Sequence, residues 1–296
     1  MNLTADDTQT TPPALPAGSA PAPLHRTVIE PDRGWQLVDV RELWRYRELL
    51  LALMLRDVKV RYKQAVLGVA WAVLQPALLM VVFTYFFARL GGLKSGDVPY
   101  PLFVLCGLTT WTFFSTAVSS AAGSVVGSER LITKIYFPRL GVPFAAVGAA
   151  TFDFLIALAL LAVLMPFYGW APSWQVVFAP LPVAVLLLTA AGLGVLLAAL
   201  TVSYRDFRYV TPFLLQVGMY STPVIFMVIP EDPSPALQAW LAINPLVAPI
   251  AAFRACVLGG PIPWVGLAVS TVVAVLLFVV GCLYFKKVED SFADVI

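Results

Sequence analysis

One carboxylate, Asp153, stands near the middle of a long apolar run. On insertion scales a charge at that depth costs a few kcal/mol, so such a residue binds something, moves a proton or pairs with a neighbouring helix. A proton relay needs a second ionisable group within the spans. No span core supplies a second acidic or basic residue, which favours a structural Asp153, protonated or hydrogen-bonded to a neighbouring helix, over ion coupling. The other reactive types are sparse. The single histidine, His25, excludes HExxH and zinc sites built on several histidines. Cys106, Cys256 and Cys282 lack Cys-x-x-Cys spacing and read as free thiols, most of them buried; Cys256, in the outer segment described below, is expected to react with an impermeant reagent from outside. Gly91-Gly92-Leu93-Lys94-Ser95 lacks the spacing of a phosphate loop, and no Gly-x-Ser-x-Gly elbow occurs. Glu231 and Asp232, the adjacent acidic pair an acid–base enzyme could use, sit among prolines and read as a solvated turn. Uphill work by this chain would therefore draw on a partner or an ion gradient.

The elements that position these residues follow from composition. The 296 residues are 60% hydrophobic and only 12% charged, against about 25% charged in soluble domains. The fold class is an all-α polytopic membrane protein. A net charge of +2 with no basic stripe argues against nucleic acid as partner. Residues 1–34 form a Pro-rich tail that buries too little surface to order itself and lacks the h-region of a signal peptide. Residues 35–65 predict an amphipathic helix at the membrane interface, with Arg41, Arg45, Glu48, Arg56, Lys59 and Lys63 on one face and Leu43, Tyr46, Leu50, Leu53 and Met54 on the other. Asp57 and Arg61 fall on the apolar side, four residues apart, and read as a local ion pair or a subunit contact.

Apolar runs at 66–90, 101–126, 142–167, 179–200, 212–229 and 264–285 predict six spans in a 66–286 membrane domain, followed by a 287–296 tail. The proline-broken stretch 230–263 predicts two short re-entrant helices between spans five and six, covered by protein or lining a cavity. Lys and Arg cluster at Arg56–Lys63, at Arg130, Lys134 and Arg139, at Arg205 and Arg208, and at Lys286 and Lys287. By the positive-inside rule these ends and both termini are cytoplasmic, and Trp170, Trp174, Trp240 and Trp264 lie at the outer interface.

The segment 128–140, SERLITKIYFPRL, sets Arg130, Lys134 and Arg139 among Leu131, Ile132, Ile135, Tyr136 and Phe137, and Pro138 stops it; such a helix docks into a groove on a partner. Together with the run Arg56-Asp57-Val58-Lys59-Val60-Arg61-Tyr62-Lys63-Gln64, then Leu67-Gly68, Trp71 and Gln75-Pro76, then Arg205-Asp206, Ser221-Thr222-Pro223-Val224, Asn244-Pro245 and Arg254, the order of features over about residues 40–290 resembles the membrane subunit of type-2 ABC exporters of polysaccharide (O-antigen or teichoic acid). The Pro-rich first 35 residues have no counterpart in that pattern.

That resemblance implies a non-catalytic homodimeric permease of the bacterial inner membrane. It has no cofactor of its own, and ATP and magnesium are carried by a separate ATPase subunit. Coupling falls to Arg130, Lys134, Ile135, Tyr136, Phe137, Pro138 and Arg139 with Arg56, Asp57 and Arg61. A channel lined by the first and fifth spans would pass a lipid-linked polysaccharide over Tyr85, Phe86, Tyr220 and Phe226, under an outer gate containing Asn244, Pro245 and Arg254. A drug exporter of the same class and an integral-membrane transferase on lipid-linked sugars are the alternatives.

Overall fold

Lipid offers no partner for backbone amides, so apolar runs of this length resolve into helices. The computed structural model describes residues 40–63, 68, 70–91, 97–132, 137–224, 234, 240–241, 243–289 and 292, and there is no strand among them. The expectations for the tail 1–34, for Lys134, Ile135, Tyr136, Phe226, Glu231 and Asp232, and for most of the tail beyond Glu289 lie outside the described residues.

Two helices, α1 (Val40–Arg45) and α2 (Arg47–Lys63), precede the spans. Then come α3 (Ala70–Phe83), which continues as a π-helical stretch Thr84–Leu90, α4 (Tyr100–Gly127), the short α5 (Glu129–Ile132), α6 (Gly141–Phe167) and α7 (Pro180–Ser203), entered through a 3₁₀ turn at Trp174–Phe178. The chain ends in α8 (Phe207–Ser221), α9 (Val247–Leu258) and α10 (Trp264–Val288). Proline sets the boundaries: Pro180 opens α7 where an amide would be orphaned anyway, and Gly259, at φ +93°, ends α9 ahead of Pro261 and Pro263.

Five helical segments are long and apolar enough to cross a bilayer: Ala70–Leu90, Tyr100–Gly127, Gly141–Phe167, Trp174–Ser203 and Trp264–Val288. The 15-residue α8, Phe207–Ser221, covers only the first part of the span expected at 212–229 before the backbone turns extended at Thr222. The described residues therefore carry five of the six predicted spans, and of the two re-entrant pieces only Val247–Leu258 is described in full.

α4 is the centre of the bundle, packed between α6 and α7. Leu102, Leu105, Ala117 and Val125, distributed along its length, are wholly buried. α7 packs in turn on α10 where two glycines face each other. A Cβ on Gly192 would sit 2.6 Å from the Phe278 Cα, and one on Gly281 would strike the Gly192 carbonyl. Small residues are what permit such backbone approach between membrane helices, where dispersion replaces the hydrophobic effect.

α2 packs along α6. Leu50 fills the space over Gly141, Met54 Sδ lies where a Cβ on Gly148 would meet it at 2.8 Å, and Arg61 reaches Asp153. The contacts advance together along both helices, so α2 runs beside the first half of α6. Its inward residues are those expected, with Leu53 buried, but Leu51, Leu55 and Val60 share the outward side with Arg56 and Lys59.

Candidate functional site

Asp153 lies 12 residues into α6, about 18 Å along the helix at 1.5 Å per residue. Its carboxylate accepts from the Arg61 guanidinium and from the Tyr62 hydroxyl, both at the end of α2. Asp57, expected to pair with Arg61, instead accepts from its neighbour Arg56 at 2.8 Å. The sequence missed the cross-helix pair because it counted charges within the spans, whereas α2 carries Arg61 up to Asp153 from outside them. Tyr62 also packs edge-on against Phe152, and burial lifts its phenol above the ordinary value, against the lowering pull of Arg61.

Next to this cluster, between α2, α3, α4 and α6, is a cavity of about 430 Å³ whose lining includes Trp71, Gln75 and Thr109. Most hydroxyls inside this bundle bond back to their own helix, as Thr110, Thr189, Thr201 and Thr271 do. Thr109, 1% exposed, has no partner for its Oγ1 among the described residues. Arg61 also lines a second cavity, reached along the Ser120, Ser124 and Ser128 side of α4.

Nearer the N-terminal end of α4, three side chains hold the end of α8. Trp240 Nε1 donates to the Ser221 carbonyl at 3.2 Å, Asn244 Nδ2 donates to Thr222 Oγ1 at 3.1 Å, and Arg254 donates to the Val224 carbonyl. Asn244 Oδ1 accepts from the Leu246 amide at 3.0 Å, forming the turn expected at Asn244-Pro245. Arg254 was expected near lipid headgroups or on a carboxylate. It is half-buried instead, its guanidinium 3.8 Å from the centre of the Phe103 ring, where a desolvated cation is worth about 2 kcal/mol. Gly107 is required there, since a Cβ would collide with both Arg254 and the Val224 carbonyl. Cys256, two residues on, is wholly buried, as are Cys106 and Cys282 nearly so. The labelling expected at Cys256 therefore gives way to a closed position in the core. Arg254→Leu combined with Asn244→Ala frees the end of α8 from two of its three ties and is expected to raise ion leakage through proteoliposomes severalfold; leakage equal to wild type would remove any gating role from these contacts.

In the 128–140 segment Phe137 is buried, packed in one apolar cluster with Leu53, Ile132, Leu140 and Phe285. Arg139 donates to the Glu289 carbonyl beyond α10. These two residues, with Pro138 between them, anchor the segment to the bundle, while Glu129 and Arg130 are exposed. The aromatic residues proposed for a channel are on open faces: Tyr85 and Phe86, edge to face at 5.7 Å, and Tyr220. Tyr209 and Phe213, at helical spacing from Tyr220, extend the same exposed face of α8 and went unremarked in the sequence.

The profile of the family described as ABC-2 type transporter matches residues 48–258. The chain belongs to the ABC-2 type transporter family. As an ABC-2 family member it is similar to the O-antigen export system permease protein RfbA of Myxococcus xanthus, 32% identical over 257 residues covering 86% of this chain and 98% of the relative. A protein of that description from Klebsiella pneumoniae is 25% identical over 84% of this chain and 95% of its own length. The polysialic acid transport protein KpsM of Escherichia coli is 24% identical over 71% of this chain and 81% of its own. The match takes in α2 through α9, so the Arg61–Asp153 cluster, α4 and the clamp on α8 all fall within the family's region. This ABC-2 chain is a multi-pass component of a transporter rather than an enzyme.

Proposed function

We propose that the chain is the channel-forming permease of an ATP-driven exporter of a lipid-linked, O-antigen-like polysaccharide across the inner membrane of a bacterium, with both termini cytoplasmic. The observation that carries this reading is the near full-length similarity to O-antigen export permeases. A second copy completes the channel. ATP and magnesium are handled by a separate ATPase subunit, since the sequence holds no phosphate loop. Arg130, exposed in the 128–140 segment, meets that subunit, and Lys134, Ile135, Tyr136, Arg56 and Asp57 are the further coupling residues. The open aromatic faces of α3 and α8 line the path: rings offer a sugar polymer stacking without a tight stop. Asn244, Pro245 and Arg254 keep the outer end shut between substrates.

Deleting the gene tests this in cells. Surface polysaccharide should disappear while the lipid-linked polymer accumulates inside, and the wild-type chain should restore export; undiminished surface polysaccharide in the deletion strain would overturn the reading.

A further inference from the structure

The cavity beside Asp153 is not explained by a channel running over α3 and α8. Its polar lining has no net charge, because Arg61 and Asp153 cancel, yet it presents donors and acceptors together: the Arg61 guanidinium, the Asp153 carboxylate, the Tyr62 phenol, the Gln75 amide and the unpartnered Thr109 hydroxyl. The indole of Trp71, half-exposed, forms part of the wall. A phosphate would lose to the Asp153 carboxylate what it gains from Arg61 beside it, with no net charge left to hold it. A purely apolar chain would leave Thr109 unsatisfied, at a cost of about 1–3 kcal/mol. A neutral ring bearing several hydroxyls satisfies both conditions, since each hydroxyl donates and accepts and the ring's C–H face lies on an aromatic plane. The volume, about 430 Å³, is in the range of small-ligand sites. The second cavity, on the serine-lined side of α4, shares Arg61 with it.

We infer that this cavity is a binding site for one neutral sugar ring carried by a membrane amphiphile. The inference rests on the export reading above and adds to it a sugar subsite apart from the channel, between α2, α3, α4 and α6. The ring enters with its hydroxyls toward Arg61, Asp153 and Gln75, and Thr109 donates to the hydroxyl that reaches deepest.

The test is native mass spectrometry of the full chain with three amphiphiles: octyl β-glucoside, octyl tetraethylene glycol of the same chain length, and dioctanoyl phosphatidylglycerol, whose polyol head carries a phosphate. One octyl glucoside per chain should be retained, at least tenfold more tightly than either of the others. Thr109→Val and Gln75→Leu should each weaken its retention severalfold, while Thr109→Ser, which keeps the hydroxyl, should retain it; a matched elution profile and melting temperature show that each variant is folded. Equal retention of the ethylene glycol amphiphile, preference for phosphatidylglycerol, or indifference to Thr109→Val in a folded chain would each overturn the assignment. The deletion strain separates this result from the export reading: failure to bind octyl glucoside with gene-dependent export removes the subsite alone, and binding with undiminished export removes the reading alone.

Discussion

Arg61→Asp should leave two carboxylates facing each other at the end of α2, and the chain should lose about 2 kcal/mol or more of stability, the scale of hydrogen bonds to charged groups. Asp153→Leu, which strands the Arg61 guanidinium and removes the acceptor of Tyr62, should cost as much. The side chains are 33% and 24% exposed, so the loss should fall short of the 3–5 kcal/mol found when a fully buried pair is broken. Asp153→Asn, which keeps an oxygen to accept from Tyr62, should be milder. The exchanged double variant, Arg61→Asp with Asp153→Arg, should be more stable than the sum of its two single changes allows, and thermal unfolding in one detergent measures it beside both of those singles, Asp153→Leu and Asp153→Asn. Asp57→Ala is the control, because the exposed Arg56–Asp57 pair is worth at most about 1 kcal/mol. Strictly additive effects at 61 and 153 would show that the two residues do not interact.

The other large effect is steric. Gly192→Val should give almost no monodisperse protein on size exclusion, because even its Cβ would sit 2.6 Å from backbone atoms of Phe278, and backbone cannot swing aside as a side chain can. Gly123→Ala, about one turn before the end of α4 with nothing within 4 Å of the added methyl, should be tolerated and gain up to about 1 kcal/mol of helix propensity. Equal yields from the two would mean that α7 and α10 do not approach through Gly192 and Gly281.

Helices and their limits were legible because length, hydropathy and proline act locally: runs of about 20 apolar residues bounded by Pro99, Pro180 or Pro263 leave few alternatives. What depends on helices meeting was not legible. Asp153 was visible as an oddity, but its partner came from α2, 92 positions earlier, and one-dimensional periodicity carries no such distance. Arg254 could be placed in the outer segment, but not on the Phe103 ring, since its seat depends on Gly107 leaving room. Phe137 read as part of a docking face because its neighbours are basic, whereas its ring fills the core under the segment. Thr109 gave no signal at all: α4 carries other threonines, and what sets this one apart is burial without a partner among the described residues, which only packing reveals.

The central claim, that this chain is the transmembrane half of an ATP-driven polysaccharide exporter, is tested most directly in proteoliposomes holding the chain, an ATPase subunit that copurifies with it and a fluorescent lipid-linked glycan. The account predicts glycan movement and ATP turnover only when both proteins are present, with neither from this chain alone. Glycan transfer by the chain without the ATPase, or steady ATP hydrolysis by the chain alone at high purity, would contradict it.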